Sequence, residues 1–218
     1  MDTTKPDDSP AVELRRDERG LALVGDGMEL RGDFSRMLPR LKQGRLQQEL
    51  LVRAAKIKGA EAPTAVDCTA GLGEDSLLLA AAGFEVTLFE RDETIAALLA
   101  DALERAAADP VLAAIVARMH FMPGDSIEGL AALGFAPDVV YLDPMFPART
   151  KSAAVKKKFQ LLHRLEQPCE QEEALVKAAL AVHPRKVVIK RPAKGPHLAG
   201  QKPSYSIAGK SVRYDVLV

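Results

Sequence analysis

Four consecutive residues have the types needed to position an amine for chemistry. They are Asp143-Pro144-Met145-Phe146, and they follow the apolar run "VVYL". A carboxylate and a backbone carbonyl can accept the two protons of a ring-bound amino group, and this localises the nitrogen lone pair, while an aromatic ring can stack on a base. We therefore predict Asp143, Pro144 through its carbonyl, and Phe146 as catalytic residues. A proline turn with Phe146 packed into the core is the alternative.

A glycine-containing turn offers a place for a ligand near these residues. The stretch is "VDCTAGLGEDS", residues 66–76, in which Gly71 and Gly73 allow a sharp turn and a close approach of the backbone to a ligand. Glu90 ends the next apolar run, where a carboxylate can accept both hydroxyls of a ribose. The pattern predicts a cofactor that contains a nucleoside. A tight turn that needs glycine only for steric reasons is the alternative.

Charged residues in the turn discriminate between two classes of cofactor. A dinucleotide fingerprint needs a third glycine at position 76, but the chain has Ser76 preceded by Glu74 and Asp75. Two carboxylates would repel a pyrophosphate, whereas they suit the cationic centre and amino group of S-adenosylmethionine. Asp125 and Ser126 add a carboxylate and a hydroxyl after the third apolar run, although Asp125 could instead be an ordinary helix N-cap.

The elements that position these residues follow an alternating pattern from residue 65 onward. Short apolar runs alternate with helical stretches, which predicts an α/β fold with a doubly wound, mostly parallel sheet. Residues 212–218 are predicted to form a last strand, added as a hairpin at the sheet edge. The predicted helices include residues 92–108, 127–133, 151–165 and 170–182. The predicted strands are "AVDCT", "EVTLFE", "ARMHFMPGD", "VVYLD" and "RKVVIKRP".

The N-terminal region has a different composition. Residues 1–10 are polar and predict a disordered tail. Residues 11–58 predict a small appendage and a candidate for RNA docking, with a hairpin over residues 21–34 and a helical period over residues 46–57. Residues 59–218 are then the main domain.

The distribution of charge suggests a polyanionic partner. The formal net charge is zero, but residues 61–143 hold 3 Lys or Arg against 15 Asp or Glu, and residues 144–218 hold 15 against 5. A basic segment beside an acidic one predicts a small-ligand site next to a surface for a polyanion. Solvated helix faces that differ in sign are the alternative.

Several classes of protein are not supported by the composition. The two cysteines, Cys68 and Cys169, have no CxxC spacing, and the four histidines share no ligand spacing, so we expect neither a disulfide nor a metal site. No apolar run reaches the roughly 18 residues of a membrane span, and the start of the chain is acidic. We therefore expect a soluble, cytoplasmic protein.

Taken together, the motifs resemble one family. "VDCTAGLGEDS", "FERD", "GDS", "VVYLDPMFP", "KSAAVKK", "VVIKRP" and "GKSVRYDV" occur in the order and approximate spacing of the RsmJ family of bacterial small-subunit (16S) ribosomal RNA guanine-N2 methyltransferases. The resemblance runs from about residue 56 to residue 218. It implies a class I S-adenosylmethionine-dependent methyltransferase with a Rossmann-like, seven-stranded sheet. The implied reaction is methyl transfer to the exocyclic N2 amine of a guanine near the 3′ end of the small-subunit RNA.

The residues assigned from the motifs and the resemblance form two further groups. The loop and helix that leave the catalytic motif, with the end of "VVIKRP", are predicted to contact RNA through Arg149, Lys151, Lys156, Lys157, Lys158, Lys190 and Arg191. The predicted cofactor-binding residues are Asp67, Gly71, Gly73, Glu74, Asp75, Glu90, Arg91, Asp125, Ser126 and Asp143.

Two other functions remain open on the sequence. One is an amino methyltransferase that acts on DNA or on a protein side-chain amide. The other is a non-catalytic RNA-binding protein on a Rossmann-like scaffold. Binding of S-adenosylmethionine separates the second from the enzymes, and methyl transfer to defined acceptors separates the enzymes from each other.

Overall fold

The first described elements form a small antiparallel sheet. The structure, a computed structural model, describes residues 12–25, 27–144 and 171–218. The strands are β1 (Glu13–Asp17), β2 (Gly20–Gly25) and β3 (Met28–Leu30). β2 pairs with β1 and with β3, so the predicted hairpin is confirmed and one strand precedes it.

Some predictions concern residues outside the described ranges. They are the disordered tail over residues 1–10, the helix over residues 151–165, and the side chains of Phe146, Arg149, Lys151, Lys156, Lys157, Lys158 and Cys169.

Short helical segments follow where the sequence predicted one helix over residues 46–57. They are a 3-10 turn (Phe34–Met37), α1 (Leu38–Leu41), α2 (Gln43–Leu46) and α3 (Leu50–Ala55). Glu49 breaks the helix with an extended ψ of 128°. Its carboxylate accepts two hydrogen bonds from the Arg40 guanidinium, at 2.8 and 2.7 Å. The prediction of one continuous helix is therefore wrong. The turn at Glu49, which this ion pair accompanies, leaves no signal in the apolar periodicity of the sequence.

The main sheet has seven strands in the order β6-β5-β4-β7-β8-β10-β9. Four pairs of neighbouring strands are parallel: β4 with β5, β4 with β7, β5 with β6, and β7 with β8. β10 is antiparallel to both β8 and β9, which confirms a mostly parallel sheet. The strands are β4 (Thr64–Asp67), β5 (Glu85–Glu90), β6 (Met119–Pro123), β7 (Val139–Leu142), β8 (Lys186–Pro192), β9 (Tyr205–Ala208) and β10 (Val212–Leu217).

Both faces of the sheet are buried at its centre. In β7 all four residues are buried, and Val139 and Tyr141 join one core cluster, whereas Val140 and Leu142 join the other. This is why the strand has no polar residue in alternation. The remaining helices are α4 (Glu74–Ala81), α5 (Glu93–Ala107), α6 (Ala113–Val116), α7 (Ser126–Ala131) and α8 (Glu172–Ala181).

The last strand belongs to a hairpin at the sheet edge, as predicted, but it is not itself the edge strand. β10 is inserted between β8 and β9, and β9 is the edge strand. β9 is short, and three of its four residues are exposed, so it lacks the apolar run that marks the central strands. The hairpin itself is confirmed, because β9 and β10 pair antiparallel.

The N-terminal helices share the core of the main sheet. Leu51 and Ala54 of α3 are fully buried in the same cluster as Leu78 of α4. The division at residues 58 and 59 therefore stays a prediction about chain organisation. Within the described part of the chain, no helix combines the length and apolar character that crossing a membrane requires.

Candidate active site

The order of the strands places a ligand crevice at the carboxyl ends of β4 and β7. β4 leads to β5 on one side, and β7 leads to β8 on the other, so the connections diverge between these two strands. Ligands of doubly wound sheets bind at such a switch point. Asp67 ends β4 and Asp143 follows β7, so both predicted residues lie at this edge of the sheet.

Asp67 fixes the turn rather than facing the crevice. Its side chain is 1% exposed, and its two oxygens accept hydrogen bonds from the Ser76 hydroxyl at 2.6 Å and from the Thr69 amide at 3.0 Å. Burial raises the pKa of Asp67 to about 7, although both hydrogen bonds oppose the shift. The carboxylate thereby ties the end of β4 to the first turn of α4. Direct contact of this side chain with a cofactor is not supported by its burial.

The two glycines of the turn have different reasons for being there. Gly73 has a φ of +77°, which residues other than glycine rarely adopt, and a Cβ on it would lie 2.7 Å from the end of the Leu99 side chain, so the backbone conformation itself favours glycine. Gly71 has a φ of +54°, and its amide donates to Glu90 at 2.9 Å. Gly73 therefore has a steric reason to be glycine, and its role toward a cofactor stays a prediction, while the Gly71 amide faces the carboxylate predicted to bind ribose.

Glu90 joins the ends of two neighbouring strands. One carboxylate oxygen accepts from the Gly71 amide and the other from the Asp92 amide, each at 2.9 Å. Burial raises the pKa of Glu90, and these backbone donors oppose the shift. Each carboxylate oxygen has a second lone pair, so the two hydrogen bonds leave capacity for ribose hydroxyls. Arg91, beside it, is exposed.

The next strand end places Asp125 as a helix cap. Its side chain accepts from the Ile127 amide at 2.7 Å, so the N-cap alternative is confirmed. The preceding Gly124 donates its amide to the Glu90 carbonyl at 2.8 Å, which brings this loop beside Glu90. Ser126 is 8% exposed. A second role of Asp125 and Ser126 toward a cofactor stays a prediction.

An ion-pair network surrounds Asp143, the first residue of the predicted catalytic motif. The Lys190 ammonium lies 2.8 Å from Asp143 Oδ2 and 2.7 Å from Asp75 Oδ2. The Tyr141 hydroxyl donates to the same Asp75 oxygen at 2.6 Å. Burial raises the pKa of Asp143, and the Lys190 charge opposes the shift. Pro144, which follows, is buried.

The environments of Lys190 and Arg191 do not support their predicted contact with phosphate. Lys190 pairs with two carboxylates inside the crevice. The Arg191 side chain is 1% exposed and donates to the Pro196 carbonyl at 2.9 Å. The sequence places both residues at the correct edge of the sheet, but the tertiary structure turns them toward internal partners.

Two residues in the network were missed by the sequence analysis. Tyr141 has the pattern of a core residue, which it is, but its hydroxyl reaches Asp75. The Thr69 hydroxyl accepts a hydrogen bond from the Asp143 backbone amide at 2.7 Å. This hydrogen bond joins the glycine turn to the predicted catalytic motif. Only the hydroxyl groups themselves signalled such roles, since a buried hydroxyl needs a partner.

The residues at this edge fit S-adenosylmethionine. The carboxylates of Glu90 and Asp143, at two strand ends, suit hydroxyl, amino and sulfonium groups, and the Gly71 turn leaves the backbone open to close approach. Glu74 begins α4 beside Asp75, at the helix N-terminus. In residues 12–25, 27–144 and 171–218, no cluster of three or more His, Cys, Asp or Glu side chains could hold a metal ion.

Comparisons with known proteins agree on one family. The family model described as "Putative SAM-dependent methyltransferase" matches residues 7–218. Ribosomal RNA small subunit methyltransferase J of Thioalkalivibrio sulfidiphilus is 52% identical over 175 residues, which is 79% of this chain and 69% of that protein. The Pseudomonas aeruginosa protein of the same name is 44% identical over 217 residues, 96% of this chain and 83% of that protein.

Solved structures share the fold. A SAM-dependent methyltransferase from Neisseria gonorrhoeae superposes with a TM-score of 0.79 at 33% identity, covering 99% of this chain and 86% of that one. An rRNA methyltransferase from Streptomyces viridochromogenes has a TM-score of 0.52 at 18% identity, covering 79% of this chain and 83% of that one. At this identity the second likeness concerns the fold alone.

Proposed function

The chain belongs to the S-adenosylmethionine-dependent methyltransferase family that includes ribosomal RNA small subunit methyltransferase J, and from this premise we propose that it methylates small-subunit ribosomal RNA. Its fold is the class I methyltransferase fold and its cofactor is S-adenosyl-L-methionine. The acceptor proposed within that RNA is the exocyclic N2 amine of one guanine. The proposal places the enzyme in the cytoplasm with ribosomal RNA or the assembled small subunit as its partner.

The observation that carries the chemistry is the position of Asp143 and Pro144. They directly follow β7 at the switch point, with the Asp143 amide bonded to Thr69 and its carboxylate to Lys190. A group at this point lies beside the glycine turn. An acceptor amine held by Asp143 would thus be next to a cofactor bound along the ends of β4 and β5.

The roles of the residues follow from the weak nucleophilicity of the amine. When bound, S-adenosylmethionine would supply an electrophilic methyl group, whose bond to sulfur would break as the bond to nitrogen forms, and the proton that the amine loses would pass to Asp143 or to water. Asp143 accepts one N–H of the amine and the Pro144 carbonyl accepts the other, which directs the lone pair toward the methyl group. Phe146 stacks on the base in this proposal, and it lies outside the described residues.

Other acceptors have no observation in their favour. The relatives that cover most of the chain are named for ribosomal RNA, not for DNA or for a protein amide. A non-catalytic RNA-binding protein has no need of the catalytic motif beside a cofactor turn. We therefore keep one function.

The function is tested with small subunits from a strain that lacks the gene. The protein is incubated with labelled S-adenosylmethionine and either naked small-subunit RNA or assembled subunits, and the RNA is digested for nucleoside mass spectrometry. We expect the label in N2-methylguanosine. Label in another nucleoside, in protein alone or in neither substrate contradicts the proposal.

The ribose-binding role of Glu90 predicts a loss of cofactor affinity. Glu90→Ala removes an acceptor for the ribose hydroxyls and also the acceptor of the Gly71 and Asp92 amides. A hydrogen bond to a charged group is worth about 1.5 to 3 kcal/mol, so affinity should fall about tenfold or more. Titration calorimetry with S-adenosylmethionine measures it.

A matched control for this variant is available on α5. Glu104 is exposed near the end of that helix, so Glu104→Ala should keep the wild-type affinity. Equal affinities of Glu90→Ala and Glu104→Ala for the cofactor would show that Glu90 does not bind it.

The basic stretch after the catalytic motif predicts the RNA surface. Lys156, Lys157 and Lys158, which lie outside the described residues, follow a base-binding motif and would meet its flanking phosphates. Replacing all three by Gln should weaken RNA binding and flatten its salt dependence by up to about two to three units of slope. Filter binding at several salt concentrations measures both, with cofactor affinity nearly unchanged.

The control for this prediction keeps the charge. Replacing the same three lysines by Arg should preserve the salt slope, because phosphate neutralisation depends on charge. A Gln variant with wild-type affinity and slope would move the proposed surface to the N-terminal region. Lys42, Arg45 and Arg53 are exposed there, whereas Arg36 pairs with Asp33.

A further inference from the structure

The Lys190 side chain is fixed by hydrogen bonds to two carboxylates inside the crevice. Its ammonium donates to Asp143 Oδ2 at 2.8 Å and to Asp75 Oδ2 at 2.7 Å. The Lys190 side chain is 25% exposed. In the described part of the chain, Asp143 Oδ2 has this contact, and Oδ1 of the same carboxylate is not engaged in a hydrogen bond.

The sheet itself brings Lys190 beside Asp143. In the parallel pairing of β7 and β8, Leu142 lies opposite Ile189, so the residues that follow each of them are neighbours. On its other side Lys190 pairs with Tyr214 of β10. Backbone pairing on both sides therefore fixes the root of the Lys190 side chain.

The electrostatic surroundings show why a cation is needed there. Burial favours the neutral form of Asp143, and the nearby Asp75 charge adds to that effect. Burial also disfavours the charged form of Lys190, but the two carboxylates raise the pKa of Lys190 above its usual range. The ionisable groups that face this pair from the adjoining elements are Asp67, Asp75, Tyr141, Arg191 and Tyr214.

We propose that Lys190 is a positioning residue for methyl transfer, which holds Asp143 ionised and oriented through Oδ2 so that Oδ1 accepts the substrate amine. This inference rests on the proposed function and extends it to a residue outside the catalytic motif. Asp75 and the Tyr141 hydroxyl complete the arrangement, because they hold the ammonium from its other side. Lys190 contacts neither the transferred methyl group nor the base in this scheme.

The proposal predicts a change in the pH dependence of turnover. Lys190→Met removes the cation and leaves Asp143 facing Asp75, so protonated Asp143 becomes more stable. A neighbouring opposite charge lowers a carboxyl pKa by about 1 to 3 units, so the acidic limb of the kcat profile should move up by about that amount. Activity should fall at neutral pH and recover toward the wild-type value at alkaline pH.

A second variant should shift the acidic limb of the kcat profile in the opposite direction. Asp75→Asn removes a negative charge that favours protonated Asp143, so the acidic limb should move to lower pH. Lys190→Arg keeps the positive charge and should keep most of the wild-type profile. Lys177, exposed on α8, gives the matched control, since Lys177→Met should leave the profile unchanged.

The experiment measures kcat from pH 5 to pH 10 with labelled S-adenosylmethionine and small subunits at saturation. Thermal unfolding followed by circular dichroism checks that each variant is folded, independently of cofactor binding. The proposal is overturned if the pH profile of kcat for Lys190→Met coincides with that of the wild type. It is also overturned if kcat of the variant is lower by the same factor at every pH. If Lys190→Met does not fold, the sign of the Asp75→Asn shift decides in its place. Failure of the proposed function is distinct, because the wild type would then transfer no methyl group to the RNA.

Discussion

Asp143→Ala should lose nearly all methyl transfer to ribosomal RNA. The substitution removes the side chain that accepts the amine proton, and positioned proton acceptors contribute about 100- to 10,000-fold to rate. The methyl-transfer step itself should become slower. Single-turnover experiments with saturating RNA and labelled cofactor measure the rate constant of that step. Since Asp143 lies beside the proposed cofactor position, some loss of cofactor affinity should accompany it.

The control for this result uses Asp143→Asn. Asparagine keeps one oxygen that can accept a hydrogen bond but cannot take a proton at neutral pH. Partial activity would mean that Asp143 acts as an acceptor, and activity as low as that of Asp143→Ala would mean that it also serves as the base. A folded Asp143→Ala protein that methylates at the wild-type rate would contradict the assigned mechanism.

Asp215→Ala should cause a large loss of stability without touching the crevice. Asp215 is 2% exposed and accepts from the Arg213 guanidinium at 2.9 and 3.0 Å, from Ser206 at 2.6 Å, and contacts His197 at 3.0 Å. Arg213 also donates to the Gly195 carbonyl at 2.9 Å and so holds the loop after β8. Removing one partner of a buried ion pair costs about 3 to 5 kcal/mol, because the other charge stays buried.

Urea unfolding measures this loss, and Ser206→Ala gives the scale for a single hydrogen bond, about 1 kcal/mol. If Asp215→Ala lowers the free energy of unfolding no more than Ser206→Ala does, the ion pair does not stabilise the fold.

The contribution of Asp215 to stability depends on pH with a definite sign. Burial opposes ionisation of Asp215, but the hydrogen bonds from Arg213, Ser206 and His197 lower the pKa of Asp215 below its usual 3.8. Its contribution is therefore present above that value and lost as the pH falls through the lowered pKa.

Local pattern in the sequence determined the elements that pack against the core with a clear apolar run or period. The run "EVTLFE" corresponds to all six residues of β5, and the helix predicted over residues 92–108 is α5 with its N-cap Asp92. These segments are recognisable because their own residues carry both the apolar pattern and the cap. β9 was not recognised, since an exposed edge strand buries little and has no such pattern.

The positions of Asp67, Glu90, Asp125 and Asp143 at one edge also followed from the sequence. Each residue ends or follows a predicted strand, and the carboxyl ends of parallel strands meet at one edge. That argument needs only the order of elements, so it needs no knowledge of side-chain partners. The resemblance of the motifs then added the family, which the comparisons confirmed.

Only the tertiary structure decided which charges at that edge meet. The sequence predicted Asp75 for the cofactor and Lys190 for phosphate, whereas the two side chains pair with each other, 115 residues apart in the chain. Strand ends fix the edge on which a side chain lies, but a long side chain reaches several neighbours there. The choice depends on strand order, register and burial, because a desolvated charge is stable only beside its counter-charge. Those three quantities belong to the folded chain and not to any one segment.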